Sequence, residues 1–143
     1  MKKNYALFAT LILTGILLLN YFFTMPQWVS TPESRDDFST ERALKHIQKI
    51  AAQPHYVGSK NHEIVANYLV SELKKLGLNP EIQEGTTFSG KGNLEKSKNI
   101  LARISGSNPS KALLLLTHYD SAPHSYSHGA SDAGSGVGTL LEG

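Results

Sequence analysis

Three side chains near the C-terminal end of the sequence have the types and spacing of a hydrolytic metal site. His118 and Asp120 are separated by one residue, and Asp132 follows a short loop, within a run of glycine, alanine and serine. A carboxylate two residues from a ligand histidine can hold the imidazole or a bound water in a useful protonation state. A carboxylate without bulky neighbours can bridge two metal ions about 3.5 to 4 Å apart.

The composition of the chain narrows the choice of metal and partner. There is no cysteine, so a metal site has to use histidine, aspartate and glutamate. Such ligands suit Zn²⁺ in a catalytic, water-holding site. The formal net charge is +2, from 14 Lys and Arg against 12 Asp and Glu. Because this balance gives no strong field, no nucleic-acid partner is expected.

Each half of the pattern is weak alone, because a histidine after a strand is more often structural and a glycine-rich turn is most often only a turn. The two motifs in succession after an apolar run are a more specific signal of a metal site than either motif alone. His124 and His128 lie in the intervening loop and could complete a three-histidine site with His118, but loop histidines are usually solvated. Packing or surface roles are expected for the histidines in or beside the predicted helices, His46, His55 and His62.

Two amphipathic helices precede the motif. Ser39 or Thr40 can cap a first helix, whose apolar stripe continues to about Ala52. A second helix fits residues 60–76, where apolar residues recur at helical spacing, and Gly77 supplies its stop. Both helices are expected to be amphipathic and soluble.

Strands are predicted after the helices. Residues 80–88 and residues 99–104 are each predicted to form a strand, with a turn at 105–111. Residues 112–117 are apolar on consecutive positions, which predicts a strand covered on both faces. Ligands of open α/β sheets gather beyond the carboxyl ends of strands, and His118 falls there. Helices before such a strand favour an α/β sandwich.

The N-terminal segment differs from the rest of the chain in its long apolar run. Lys2 and Lys3 precede an apolar run over residues 5–23, which at about 1.5 Å per residue nearly spans a bilayer core of roughly 30 Å. The flank 24–34 lacks Lys and Arg, so the positive-inside rule predicts that the C-terminal remainder of the chain is exported. No small residues mark a cleavage site, so an uncleaved anchor is expected, with a cleaved signal peptide as the alternative. The predicted division is 1–26 cytoplasmic tip and membrane anchor, 27–38 linker, and 39–143 exported domain.

The two motifs together resemble a known family. His118-Tyr119-Asp120-Ser121, followed by Gly129-Ala130-Ser131-Asp132-Ala133-Gly134-Ser135-Gly136-Val137, is similar to the paired signature of the aminopeptidase S and aminopeptidase Y type zinc exopeptidases, metallopeptidase family 28. Residues 54–59 and Asn61, which lead into the second helix, also resemble that family's Gly-Ser segment before its early helix. The resemblance covers roughly residues 38–143. It implies a three-layer α/β/α sandwich with a mixed, mostly parallel sheet, incomplete in this chain and preceded by one transmembrane helix.

The resemblance also implies roles for the three residues. His118 binds one zinc, Asp132 bridges two zincs, and Asp120 orients or tunes the site as its catalytic residue. The family's general-base glutamate and remaining ligands lie beyond Gly143, and Glu142 follows Asp132 too closely to replace them. The expected parent is therefore a membrane-anchored aminopeptidase with two Zn²⁺ per complete site, acting on peptides on the non-cytoplasmic side. The 143-residue chain is expected to be an inactive N-terminal part of it.

Two other functions stay open. The same fold resembles that of glutaminyl cyclases, which use a single zinc for ring closure. A non-catalytic, membrane-anchored ectodomain of the same fold is the second alternative. The complete small-residue turn around Asp132 favours the peptidase, and the intact His118 and Asp120 speak against the ectodomain. The sequence makes no prediction of oligomeric state.

Overall fold

The computed structural model describes residues 2–25, 37–88, 90, 92–108, 110–123 and 125–143. The elements are α1 (Lys2–Thr24), α2 (Thr40–Ile50), α3 (Lys60–Lys75), β1 (Glu81–Phe88), β2 (Leu94–Leu101) and α4 (Ser135–Glu142). A kinked turn, Ala130–Gly134, leads into α4. The two strands pair antiparallel, with Glu81 opposite Leu101 and Phe88 opposite Leu94. The described residues therefore form a mixed α/β structure with a partial sheet.

The two predicted helices α2 and α3 are confirmed, and serine side chains begin both. The Ser39 hydroxyl accepts the Arg42 N–H at 3.3 Å, and the Ser59 hydroxyl accepts the His62 N–H at 3.1 Å. These bonds satisfy N–H groups that have no partner within the first helical turn. Gly77 adopts φ 80° directly after the C-cap of α3, which is the left-handed stop that glycine favours.

The core joins three helices to the second strand. Its central side chains come from α2, α3 and α4: Ile50, Val65, Leu69 and Val137. Partly buried side chains pack around them: Tyr68, Ile100, Tyr119 and Leu141. Because Tyr119 belongs to the predicted H-Y-D-S motif, the motif is attached directly to this core.

A glycine lets α2 and α4 approach closely. A Cβ built on Gly138 would lie 2.8 Å from Ile47 Cγ1 and 2.9 Å from the Ala43 carbonyl oxygen. The second neighbour is helix backbone, which cannot rotate out of the way. The glycine at position 138 is therefore needed for the packing of the two helices.

Glu142 fastens the end of α4 to the start of α2. Its Oε1 accepts the Arg42 Nε–H at 2.7 Å and the Ser39 N–H at 3.0 Å, and Arg42 Nη2 contacts the same oxygen. The hydrogen bond from Arg42 outweighs burial and lowers the pKa of Glu142 below its ordinary value. The carboxylate is therefore held charged in a structural ion pair.

Glutamine at position 142 is expected to remove a pH-dependent part of the stability. Since the folded pKa of Glu142 is lowered, the contribution of its carboxylate is complete above the ordinary value of 4.5 and is lost as the pH falls below it. Glu142→Gln should lower the urea midpoint at neutral pH, and the difference from wild type should be smaller at about pH 3, because the carboxylate loses its charge as the pH falls toward and through its lowered pKa. Far-UV circular dichroism of the chain in mild detergent measures both midpoints. An equal difference at the two pH values would contradict the ion-pair role.

The strand predicted at residues 112–117 is not found, and that prediction is wrong for the described chain. No described strand pairs with these residues, and the side chains of Leu113 to Leu116 are between 64% and 85% exposed. An apolar run becomes a buried strand only where neighbouring strands and helices cover it. Of the strand predicted at 99–104, residues 99–101 form the end of β2, which begins at Leu94, and residues 102–104 lie outside it.

The N-terminal helix α1 is separate from this core. Asn4–Thr24 has a mean hydropathy of 2.1 with none of the segment buried, so it is long and apolar enough to cross a membrane by length and composition. The Thr10 hydroxyl donates to the Ala6 carbonyl at 2.9 Å, which satisfies a polar group within the helix itself. The predicted linker, 27–38, lies outside the described residues except for positions 37 and 38.

Candidate metal centre

The structure brings the three predicted site residues together around one imidazole. His118 Nε2 lies 2.9 Å from Asp132 Oδ1, although the two residues are 14 positions apart. His118 Nδ1 lies 3.2 Å from Asp120 Oδ1 on the other side of the ring. Each nitrogen of His118 therefore faces a different carboxylate.

This arrangement fits the donor chemistry of zinc. His118 Nε2 and Asp132 Oδ1 are adjacent and partly open to solvent, with side-chain exposures of 56% and 86%. The Asp120 carboxylate lies beside the remaining ring nitrogen, Nδ1. A carboxylate in this position fixes the tautomer of a ligand histidine. No group of three or more potential ligands is gathered among the described residues. The centre therefore offers two ligands and one orienting carboxylate.

The charges around His118 favour a cation. Burial acts to lower the pKa of His118, but the charge of Asp120 and the hydrogen bonds with Asp132 and Asp120 outweigh it, and the pKa is raised above 6.5. The same two carboxylates that stabilise the imidazolium would attract a metal cation at this position.

Tyr119 fixes the direction in which His118 and Asp120 point. Its ring stacks on that of His62 in α3, with centroids 4.8 Å apart and planes 14° apart. Its hydroxyl donates to the Lys98 carbonyl of β2 at 3.1 Å, and burial raises the pKa of Tyr119 to about 12. Because Tyr119 is anchored in the core, its two neighbours face the opposite side, as the spacing predicts.

Small residues allow the Asp132 turn to lie close to this segment. A Cβ built on Gly136 would lie 2.6 Å from Thr117 Oγ1, beside His118. The Gly134 N–H donates to the Gly129 carbonyl at 2.8 Å and closes the turn, within which the Asp132–Ala133 peptide bond is cis. The glycine-rich composition around Asp132 is therefore explained by close backbone packing.

The other histidines are engaged elsewhere. His128 Nδ1 lies 2.9 Å from the Ala51 carbonyl at the end of α2, so among the described residues it does not join His118. His124 lies outside the described residues. His46 Nδ1 lies 2.7 Å from the Tyr68 hydroxyl, while His55 and His62 are buried. These contacts are those of packing or surface residues, the roles expected for His46, His55 and His62.

The contact between Ser121 and His55, two buried residues beside the centre, was not predicted. Ser121 and His55 are 0% and 1% exposed, and the Ser121 hydroxyl accepts the His55 N–H at 2.9 Å. The available signal was the position of Ser121 directly after Asp120. A serine in that position is usually solvated, so its burial required the structure.

The C-terminal part of the chain matches a peptidase family. Residues 99–143, which contain the whole candidate centre, match Peptidase family M28. The vacuolar membrane protease of Candida albicans (strain WO-1) is 38% identical over 104 residues, covering 71% of this chain and 12% of that protein. The Candida glabrata protein of the same name is 26% identical over 165 aligned positions, covering 98% and 17%. The chain thus spans less than a fifth of the length of these relatives.

Solved structures give the same fold. A Zn-dependent exopeptidase from Parabacteroides distasonis superposes with a TM-score of 0.66 at 31% identity, over 76% of this chain and 41% of that chain. The glutaminyl cyclase of Porphyromonas gingivalis gives 0.63 at 31% identity, over 73% and 38%. The chain therefore has the fold that zinc exopeptidases share with glutaminyl cyclases. The chain is therefore similar to Peptidase family M28 over residues 99–143, the segment that contains the candidate metal centre.

Proposed function

We propose that the chain contributes part of the active site of a membrane-anchored zinc peptidase. The observation that carries this proposal is the contact of His118 Nε2 with Asp132 Oδ1, at 2.9 Å, inside the segment that matches the family. The names of the curated relatives, vacuolar membrane proteases, and the apolar helix α1 support the membrane anchor. We place the peptidase region, 39–143, on the non-cytoplasmic side, because the flank after α1 lacks Lys and Arg.

Each residue has a distinct role in this proposal. His118 offers the lone pair of Nε2 to the metal, and Asp120 accepts the proton on Nδ1 and so keeps Nε2 free. Asp132 offers one oxygen beside His118, and its exposed second oxygen can reach another ion, as a bridging ligand of a two-zinc site would. Zinc, when bound, supplies Lewis-acid polarisation of the scissile carbonyl and an activated water.

The described residues do not complete the chemistry. A catalytic zinc normally keeps three protein ligands, and the centre offers two. Glu142 is the acidic residue nearest in sequence after Asp132, but its carboxylate is held by Arg42 at the far end of α4. A general base and further ligands therefore have to come from outside the described part of the chain. Within the peptidases, the paired motifs favour an aminopeptidase of the S and Y type acting on peptide N-termini.

A glutaminyl-cyclase-like reaction is the second candidate, because enzymes with that name share the fold at similar TM-scores. Such an enzyme would use a single zinc and close the N-terminal glutamine into a ring rather than consume water. The two reactions give different products from one substrate, a peptide that begins with glutamine. Hydrolysis releases free glutamine and shortens the peptide by one residue. Cyclisation releases ammonia and leaves the number of residues unchanged.

The proposed function is tested by zinc content and activity of the chain beside the same chain extended through the coding sequence downstream of Gly143. We expect the extended form to hold about two zincs and release N-terminal residues, and Asp120→Asn to lower kcat/KM by about 10- to 100-fold. Glu81→Gln on the exposed strand β1 is the matched control and should leave kcat/KM unchanged. An extended form without bound zinc would contradict the proposal, and ammonia release would favour the cyclase.

A further inference from the structure

One buried serine joins the two halves of the candidate metal centre. The Ser121 hydroxyl accepts the His55 N–H at 2.9 Å, and the Ser121 N–H donates to the His55 carbonyl at 3.4 Å. Both residues are almost fully excluded from solvent. This reciprocal pair attaches the end of the H-Y-D-S motif to the segment between α2 and α3.

The Asp132 turn begins at the same point. Gly129 adopts φ +65°, and a Cβ built on it would lie 3.1 Å from Ser121 Cβ and 3.2 Å from His55 Cε1. The Gly129 carbonyl accepts the Gly134 N–H at 2.8 Å, which closes the turn around Asp132. The chain therefore returns at Gly129 to pack against Ser121.

The His55 ring is fixed as one wall of this junction. Its Nδ1 lies 2.9 Å from the Gln53 carbonyl, which accepts a hydrogen from the ring and so leaves the ring with one orientation. The segment that carries His55 is itself held, because the Asn61 side-chain amide donates to the Pro54 carbonyl at 3.0 Å. The junction therefore rests on a segment that is anchored from α3.

We propose that Ser121 is a positioning residue that sets the spacing between His118 and Asp132. Without its hydroxyl, the buried His55 N–H has no acceptor, and a new one can be reached only by moving the segment or admitting water. Either change shifts Gly129 relative to the motif, and a metal site requires ligand distances within about 0.2 Å of their usual values. The inference rests on the proposed function for its metal-binding consequence.

The contacts of Tyr119 do not perform this task. They connect the motif to α3 and β2 and decide which way His118 points. Among the described residues, the ring and hydroxyl of Tyr119 contact His62 and Lys98 and not Gly129, which starts the Asp132 turn. Orientation and spacing therefore depend on different neighbours within the same four-residue motif.

The test uses Ser121→Ala and the nearly isosteric Ser121→Cys, whose sulfur is a weak acceptor. The first readout needs no metal: amide exchange of Gly134, normalised to the amides of α3. We expect it to accelerate at least tenfold in both variants. The second readout is Zn²⁺ affinity by calorimetric titration of the chain in mild detergent, which should fall about 10- to 100-fold. Glu142→Gln, at the opposite end of α4, controls for lost stability and should leave both readouts within twofold.

The outcomes separate this inference from the proposed function. Unchanged normalised exchange at Gly134 would make Ser121 an ordinary core residue and overturn the inference. Faster exchange with unchanged zinc affinity would overturn it as well, since the turn would then not govern the ligands. If the wild-type chain binds no zinc but the form extended past Gly143 does, the proposed function stands and the affinity comparison is made in the extended form. If neither form binds zinc, the proposed function fails, and the Gly134 exchange alone decides whether Ser121 couples the two turns. If Ser121→Ala does not fold, Ser121→Cys decides the same comparison.

Discussion

Asparagine at position 132 is expected to weaken Zn²⁺ binding to the chain by at least about 100-fold. This loss exceeds the roughly 10- to 100-fold typical when a residue that only hydrogen-bonds to a metal ligand is replaced. The substitution keeps the shape of the side chain but removes the negative charge beside His118 Nε2, where Asp132 Oδ1 lies at 2.9 Å. Because the Asp132 side chain is 86% exposed, the change leaves the packed core intact. Calorimetric titration of the wild-type and variant chains with zinc measures the difference.

The matched control for this prediction is His128→Gln. His128 is an exposed histidine in the loop between the two motifs, and its ring faces the Ala51 carbonyl instead of His118. Zinc affinity should therefore be unchanged in His128→Gln. Equal losses in both variants would favour the three-histidine site in the loop over the centre described above.

Alanine at position 138 is expected to destabilise the chain by about 1–2 kcal/mol, although alanine is the better helix former. The added methyl would meet Ile47 Cγ1 at 2.8 Å and the Ala43 carbonyl oxygen at 2.9 Å, so α2 and α4 would have to separate. Overpacking of this kind costs about 1–3 kcal/mol, and the gain in helix propensity returns up to about 1 kcal/mol. Urea unfolding followed by circular dichroism gives the net value.

Gly106→Ala provides the control for Gly138→Ala. A Cβ at position 106 meets nothing within 4 Å, so the free energy of unfolding should change by less than about 0.5 kcal/mol. If Gly138→Ala were as stable as Gly106→Ala, α2 and α4 would not pack as closely as the structure has them.

The parts of the fold that could be predicted from the sequence are those decided by nearby residues. Helices α2 and α3 follow from capping serines three residues before the N–H groups they accept, together with apolar spacing. The proximity of His118 and Asp132 was expected from the paired motif and is found at 2.9 Å. The strand at 112–117 was not found, because a strand depends on neighbours that its own residues do not specify.

Contacts between distant segments were beyond the reach of sequence patterns. His55 and Ser121 are 66 positions apart and meet through a backbone N–H, which any residue type except proline provides. Arg42 and Glu142 are 100 positions apart, and each is of a type that is usually solvated. Burial, and not residue type, distinguishes these pairs from the many similar residues on the surface.

Metal binding by His118 is tested most directly by the nitrogen-15 NMR signals of its ring as Zn²⁺ is added to the wild-type chain. We predict that the His118 Nε2 signal moves first and furthest among the histidines, and that Asp132→Asn abolishes this movement at the same zinc concentration. A spectrum in which other histidines respond while His118 Nε2 does not would contradict a metal centre at His118 and Asp132.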